Sequence, residues 1–138
     1  MYKADISVAT HGEGDIIDLT GEVRSAVAES GMADGLVSLF ITGSTAALTT
    51  IEFEPGVLSD LKRALSVLAP DDIPYEHDRA WGDGNGRSHV KAALVGPSLT
   101  VPFRNGSLLT GTWQQIVLLE LDVRHARQRT VHVTVHGS

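Results

Sequence analysis

The sequence predicts an α+β fold in a single domain over residues 1–138, and three observations support this prediction. A chain of 138 residues can bury enough surface for one ordinary core. Its two helical patterns stand in the first half, whereas most strand-like runs come after residue 98. Strands that cluster late, rather than alternating with helices, favour α+β over a doubly wound parallel sheet.

The first half of the chain carries two predicted strands and two predicted helices. Apolar and polar residues alternate over residues 2–8, which is typical of a half-buried strand, and residues 36–41 form a short apolar run that indicates a buried one. Residues 20–30 fit a helix with a threonine at its start and a glycine just after it. Residues 55–69 fit a longer helix that begins with a proline and carries leucines at helical spacing.

The second half is predicted to begin with a long loop and to continue as antiparallel strands. Residues 69–88 contain two prolines and three glycines, and an irregular stretch of that length is usually functional or mobile. Alternating residues around the turn dipeptide Asn105-Gly106 predict a β-hairpin over 99–109. Two further strands are expected, at the apolar run 116–121 and at the alternating residues 130–136.

Composition excludes several classes of protein and partner. The formal net charge of −6 gives no general attraction to nucleic acid or anionic lipid, and 5% aromatic residues are too few for an evident base-stacking surface. Zero cysteines exclude a disulfide framework, a thiolate metal site and a cysteine nucleophile. No run approaches the roughly 18 apolar residues of a membrane span, and the first residues lack a signal-peptide pattern. We therefore expect a cytoplasmic protein with neither nucleic acid nor membrane among its partners.

The first candidate site follows the predicted strand 36–41, where small and hydroxylated residues replace apolar ones. Backbone N–H groups near small residues can approach a ligand closely, and the hydroxyls of Ser44 and Thr45 can bind an anion such as phosphate. Either residue could instead cap a helix in a strand-to-helix turn. Glu52 could act as a base, as a metal ligand or as a carboxylate that favours a helix start.

The second candidate site lies in the predicted loop and contains two histidines. His77 and His89 can converge across the glycine-rich residues 82–86, and neutral imidazoles are common metal ligands. Asp78 or Glu52 could complete a set of two histidines and one carboxylate, or orient a ring. Alternatively, one histidine acts as general acid or base while the other holds a substrate phosphate. Two solvated loop histidines without a shared role are the plainer interpretation.

The third candidate site combines aromatic, amide and acidic residues near the last strands. Trp113 and Gln114 could offer a flat apolar wall and an amide for ligand recognition, although packing of the tryptophan in the core is the plainer interpretation. Glu120 and Asp122 lie two residues apart, so in a strand they face the same side and require partners. The arginines that could pair with them are Arg124, Arg127 and Arg129.

These segments, in this order, resemble the YjbQ family of small proteins over about residues 16–137. The matching residues are His77, Asp78, the run Gly82-Asp83-Gly84-Asn85, the pair Ser88-His89, the segment Gly111-Thr112-Trp113-Gln114, and Glu120 with Asp122. Ser44, Thr45 and Glu52 also match. Two positions differ, because the family has a histidine at Gly43 and an asparagine at Ile51. The family's Asp-Gly-Pro-Arg turn is missing after Asp122.

The resemblance implies an α+β fold with a mixed or antiparallel β-sheet sandwich and two main helices. It also implies a homotrimer with sites near subunit boundaries, in which arginines of the same or the neighbouring chain meet the charges of the Glu120/Asp122 strand. The implied activity is that of a secondary thiamine-phosphate synthase, which joins a hydroxymethylpyrimidine diphosphate to a thiazole phosphate and releases pyrophosphate. The expected substrate is thus a phosphorylated small molecule, and the expected cofactor is divalent zinc, manganese, iron or nickel.

In this interpretation His77, His89 and Glu52 bind the metal or move protons, and with Asn85 they form the catalytic set. We expect the two imidazoles to lie close to each other and to Glu52. The expected substrate-binding residues are Ser44, Thr45, Ser88, Trp113 and Gln114. The alternative function is a non-catalytic trimeric module that binds a metabolite or a metal.

Overall fold

The computed structural model describes all residues 1–138 as eight strands and four helices. The strands are β1 (Tyr2–Thr10), β2 (Ile16–Asp18), β3 (Gly35–Ile41), β4 (Ala46–Glu52), β5 (Ser98–Arg104), β6 (Ser107–Leu108), β7 (Gln114–Glu120) and β8 (Arg127–Gly137). The helices are α1 (Thr20–Ser30), α2 (Pro55–Leu68), α3 (Glu76–Trp81) and α4 (Gly86–Val95). None of the four helices combines the length and the apolar character needed to cross a bilayer.

The strands form two sheets, and every pairing within them is antiparallel. Five strands make the larger sheet in the order β1-β8-β3-β5-β6, and three make the smaller sheet in the order β2-β7-β4. The predicted α+β class is confirmed, and of the two expected sheet types the structure has the antiparallel one. The hairpin between β5 and β6 is also confirmed, with positive φ at both Asn105 and Gly106.

The core lies on both sides of the smaller sheet. One face of that sheet packs, together with α1, against the larger sheet through side chains such as Val23 and Val133. The other face packs against α2 and α4 through a smaller cluster that includes Leu65 and Leu119. The far face of the larger sheet has no covering element, and it leaves Phe40 half exposed.

Residues 69–88 are not the irregular loop that the sequence predicts. The stretch contains the six-residue helix α3, and α4 begins within it. Both prolines precede α3, Gly82 ends α3 with a φ of 67°, and Gly84 lies in the turn before α4 with a φ of 73°. The prolines and glycines lie at the ends of two short helices and not inside them. Their high number over residues 69–88 therefore does not indicate an irregular loop, contrary to the prediction from the sequence. The two expected main helices are present as α1 and α2, and α3 and α4 are two further helices.

Residues 46–52 form a strand, not the strand-to-helix turn considered above. β4 pairs with β7 along its length, and α2 begins only at Pro55. The cap of α2 is Glu54, whose carboxylate accepts hydrogen bonds from the N–H groups of Gly56 and Val57. These bonds lower the pKa of Glu54. The hydroxyl residues ahead of β4 therefore cap no helix.

A buried ion pair joins the two sheets. Glu120, at the end of β7, accepts hydrogen bonds from Nε and Nη2 of Arg129 in β8, and both side chains are almost fully buried. Burial raises the pKa of Glu120, but hydrogen bonds from Arg129, from the Thr10 hydroxyl and from the Asp122 N–H outweigh it and leave the pKa lowered. Asp122 pairs with Arg127. The predicted pairing of these acids with arginines is confirmed, within one chain.

We predict that Glu120→Gln lowers the free energy of unfolding by about 3–5 kcal/mol, because Arg129 is then left buried without a counter-charge. Urea unfolding followed by circular dichroism measures this change. Asp60→Asn is the matched control, since Asp60 pairs with Arg63 on the exposed surface of α2 and its loss should leave the midpoint unchanged. Equal midpoints for the two variants would contradict the prediction.

Candidate functional site

His77 and His89 lie side by side, as the sequence predicts. The first is in α3 and the second in α4, and their ring centroids are 4.5 Å apart with the planes at 67°. Nδ1 of His89 lies 3.1 Å from the backbone carbonyl of Ser44. A carbonyl only accepts hydrogen bonds, so Nδ1 carries the proton and Nε2 of His89 keeps its lone pair. That lone pair is the form in which an imidazole binds a metal or accepts a proton.

Two carboxylates complete the arrangement, and we refer to His77, Asp78, Asp83 and His89 together as the histidine cluster. The ligand atoms of His77, Asp78 and Asp83 lie within 4.8 Å of one another. Asp83 is 3.2 Å from Nε2 of His77. A hydrogen bond from the backbone N–H of Asn85, followed by one from His77, lowers the pKa of Asp83 and favours its charged form.

Asp78 also links the two helices that carry the histidines. One of its oxygens accepts a hydrogen bond at 2.9 Å from the backbone N–H of Gly86, the first residue of α4. This bond ties α3 to the start of α4 and so fixes the two helices whose imidazole rings are in contact. The donor set therefore fits a divalent ion, since it offers nitrogen and carboxylate ligands with outer partners that orient them.

Glu52 does not join the histidine cluster, contrary to the expectation above. It is the last residue of β4, whereas Ser44, which contacts His89, precedes the first residue of that strand. A seven-residue strand spans about 20 Å, so the two ends of β4 face different regions of the molecule. The carboxylates near the histidines are Asp78, which the sequence offered as an alternative, and Asp83.

Ser44 and Thr45 adjoin the cluster but differ in what they can offer a ligand. The hydroxyl of Thr45 is buried, donates to Asp122 and accepts from Nη2 of Arg129. Thr45 thus has no hydroxyl hydrogen left for a substrate. Ser44 is exposed, and the N–H groups of Gly43 and Ser44 donate no hydrogen bond within the chain. The part of the predicted phosphate site that a ligand can reach is therefore Ser44 with these two amides.

Asn85 and Ser88 lie beneath the cluster and not at its surface. Ser88 is fully buried and donates to the Asn85 carbonyl oxygen, which also accepts from the backbone N–H of Val123. These bonds attach the start of α4 to the segment after β7. Because both side chains are buried, they can position the histidines, but a substrate in solution does not meet them directly. The roles expected from the sequence, catalytic for Asn85 and substrate-binding for Ser88, do not fit this burial.

Trp113 and Gln114 lie away from the histidine cluster, at the start of β7, where Gln114 pairs with Glu52 of β4. Trp113 is 72% exposed, so the core packing considered above is wrong. The Gln114 amide donates to the Thr50 hydroxyl and accepts from the Gly111 N–H, which fixes it at the start of β7. Glu52 and Trp113 line an open cleft of about 390 Å³ together with Asp18 and Glu54. The structure thus separates the predicted site residues into the histidine cluster and this tryptophan cleft.

Asp83 is the residue of the cluster that sequence reasoning missed as a ligand. In the sequence, Asp83 is part of the glycine-rich residues 82–86. Glycines on both sides place it in the tight turn between α3 and α4, where an aspartate lies close to a histidine of the preceding helix. The sequence feature that could have indicated this ligand is an aspartate flanked by glycines and placed between His77 and His89.

Comparison with known proteins gives one consistent result. Residues 4–138 match the sequence model of the family described as UPF0047 protein YjbQ-like. A UPF0047 protein of Methanothermobacter thermautotrophicus is 36% identical over 137 residues, which cover 99% of this chain and 93% of the relative. The UPF0047 protein YugU of Bacillus subtilis is 33% identical over 135 residues, covering 96% of this chain and 97% of YugU.

Solved structures agree with these sequence matches. A YbjQ-like protein of unknown function from Sulfolobus solfataricus P2 superposes with a TM-score of 0.88 at 32% identity, covering 99% of this chain and 97% of that one. A hypothetical protein from Aeropyrum pernix K1 gives a TM-score of 0.90 at 29% identity, with both chains fully covered. The similarity extends over the whole fold, both helices of the histidine cluster included.

We predict that His77→Ala and Asp83→Ala each weaken Zn²⁺ binding by about tenfold or more, because each removes one of the ligand atoms that lie together with those of Asp78. Isothermal titration calorimetry on chelator-treated protein measures the affinity. Glu52→Gln should leave it unchanged, and His136→Ala, at an exposed histidine of β8, is the matched control. Loss of Zn²⁺ binding in Glu52→Gln would show that Glu52 is a ligand and would contradict its separation from the histidine cluster.

Proposed function

The chain belongs to the YjbQ-like UPF0047 family, and on that premise we propose that it is an enzyme acting on a phosphorylated small molecule at the histidine cluster, assisted by a divalent metal. The supporting observation is the contact of His77 with His89 beside two carboxylates. The reaction we propose is the one that the family resemblance implies, the thiamine-phosphate synthase reaction with its release of pyrophosphate.

The charge that such a reaction develops matches the groups around the cluster. When the bond to the diphosphate breaks, the diphosphate leaves with the electron pair and gains negative charge. A divalent ion held by the cluster would supply positive charge beside that leaving group. Ser44 and the free N–H groups of Gly43 and Ser44 lie next to His89 and can donate hydrogen bonds to phosphoryl oxygens.

The residues of the chain also fix where protons sit. The Ser44 carbonyl holds a proton on Nδ1 of His89, which leaves Nε2 as the basic nitrogen. Asp83 holds His77 in a fixed orientation through Nε2. Both imidazoles are thus oriented before any ligand arrives, which lowers the cost of aligning reactants.

One observation favours the second candidate, a metabolite- or metal-binding module without catalysis. The family's histidine is replaced by Gly43, which has a φ of 124°. A Cβ at this position would lie 2.8 Å from Nη1 of the buried Arg129. A histidine therefore does not fit here unless Arg129 moves, and this chain lacks one acid/base or ligand group that the family pattern supplies.

We further propose that the chain forms a homotrimer, as the resemblance implies. Glu120 and Asp122 cannot pair with arginines of a neighbouring copy, because both carboxylates are buried and paired with Arg129 and Arg127 of the same chain. The uncovered face of the larger sheet is the alternative, since it presents Leu36 and Phe40 about half exposed on β3. A closed three-fold ring requires a head-to-tail contact of this face with a different surface of the next copy.

We predict that metal-loaded protein forms thiamine phosphate and pyrophosphate from hydroxymethylpyrimidine diphosphate and thiazole phosphate. His77→Ala and His89→Ala should each lower the rate by about 100-fold, because each removes a group at the reacting centre. A coupled pyrophosphate assay and chromatography of the product measure the rate, with His136→Ala as the control.

Protein that binds metal at the cluster yet turns over no phosphorylated substrate would contradict the enzyme and favour the binding module. Equal rates in His77→Ala and in the unmodified chain would remove the cluster from the reaction altogether.

We predict a mass of about three times 14.7 kDa for the purified protein at micromolar concentration, measured by light scattering after gel filtration. Phe40→Ser should shift the mass towards one chain, because it removes apolar area from the proposed interface. Phe53→Ser, at a phenylalanine of similar exposure outside the sheet, should leave the trimer intact. A single-chain mass for the unmodified protein would refute the trimer.

A further inference from the structure

A second polar cavity, separate from the histidine cluster, lies between α2, α4 and the turn that follows β1. Its volume is about 270 Å³, and its polar lining includes Glu13, Lys62, Ser66, Asp71, Arg87 and Lys91. None of the four cluster residues contributes to it. Arg87 and Lys91 are four residues apart and share one side of α4, whereas His89, two residues from each, points to the other side.

Lys91 is the residue of this cavity that lacks a full set of partners. Its side chain is only 9% exposed, and its ammonium makes no hydrogen bond; the nearest carboxylate oxygen, on Glu13, is 3.8 Å away. Glu13 is already engaged, because its two oxygens each accept a hydrogen bond from Arg87 at 2.8 Å. These bonds from Arg87 lower the pKa of Glu13 and hold it charged. The stem of Lys91 is thus buried, while its ammonium opens into the cavity, where an acceptor on a ligand can reach it.

Lys62 adds a second free cation at the same place. The chain has three lysines, Lys3, Lys62 and Lys91, and two of them line this one cavity. The stem of Lys62 lies beside Gly14, and its ammonium enters none of the ion pairs of the chain. The hydroxyl of Ser66 also lines the cavity without a partner inside the chain.

The charges of the lining leave a positive balance for a ligand. Arg87 neutralises Glu13 through its two hydrogen bonds. The remaining charged groups of the lining are two ammonium groups, of Lys62 and Lys91, and one carboxylate, of Asp71. Two cations and a hydroxyl around one space are the donors that a phosphoryl group with several acceptor oxygens can use. Leu65 and Leu121 give the cavity an apolar floor, which suits a small carbon body attached to the phosphoryl group.

We propose that this cavity is a binding site for the phosphoryl group of a small molecule, held by Lys91, Lys62 and Ser66. The proposal does not rest on the proposed function, because the cavity shares no residue with the histidine cluster. In this arrangement the ligand supplies the hydrogen-bond acceptors that Lys91 lacks in the free chain. Glu13 and Arg87 form part of the wall of the site. Because they pair with each other, the two lysines can donate hydrogen bonds to the ligand.

The test uses inorganic phosphate as the probe at constant ionic strength. We expect saturable chemical-shift changes in ¹H–¹⁵N spectra at α2, α4 and the turn after β1. Lys91→Met and Lys62→Met should each weaken the affinity by about tenfold or more, the loss of one charge-assisted hydrogen bond. Lys3→Met removes the remaining lysine, which is exposed on β1, and should leave the affinity unchanged.

Three controls make the outcome decisive. Because Lys91 is buried, Lys91→Met could disturb folding, and the exposed Lys62→Met then carries the test alone. His77→Ala with His89→Ala should retain phosphate binding here, so failure of the proposed function and failure of this site are separate results. Succinate tests whether the site takes carboxylates instead. Absence of saturable shifts, equal affinity in both lysine variants and Lys3→Met, or binding of succinate without phosphate would each overturn the proposal.

Discussion

The buried ion pair of Glu120 and Arg129 is the constraint on which the candidate site depends. Glu120 ends a strand of the smaller sheet and Arg129 lies in the larger one, so the pair sets how the two sheets meet. Nη2 of Arg129 also donates to the carbonyl and the hydroxyl of Thr45. This fixes the short segment before β4, including the Ser44 carbonyl that orients His89. Charges buried in this way are stable only when every partner is in place.

The same region of the chain also holds the other side of the site. Asp122 donates its backbone N–H to Glu120 and accepts from the Thr45 hydroxyl, while the next residue, Val123, donates to the Asn85 side chain. Asn85 in turn precedes the first residue of α4. The polar network at the end of β7 thus holds the start of α4, and α3 is attached to α4 through Asp78. A local change in this network is expected to reach the imidazoles through hydrogen bonds.

Much of this arrangement could be predicted from the sequence because its signals are local. Alternation identified β1 and β8, helical spacing identified α2, and glycines between two histidines indicated that His77 and His89 converge. The error with Glu52 had a different origin: β4 carries two threonines in its middle and so lacks the apolar pattern of a buried strand. Without knowing that this segment is extended, one cannot see that its two ends are far apart.

The exposure of Trp113 and the cavity around Lys91 were beyond prediction for a related reason. Both depend on contacts between elements that are distant in the chain. The spacing of apolar residues along the sequence predicts local secondary structure but not such contacts. Lys91 appears in the sequence as an ordinary polar residue of α4, and only the packing of α2 beside it makes it buried. The family resemblance helped with the fold, whose pattern extends over the whole chain, more than with the roles of single residues.

The close approach of Gly43 to Arg129 limits which side chains position 43 can hold. Any side chain at position 43 meets Nη1 of a guanidinium that is held by Glu120 and Thr45. A histidine at position 43 and an arginine in this pose at position 129 therefore exclude each other. A third imidazole beside His89 at position 43 would therefore require the Arg129 guanidinium to shift, against its hydrogen bonds to Glu120 and Thr45.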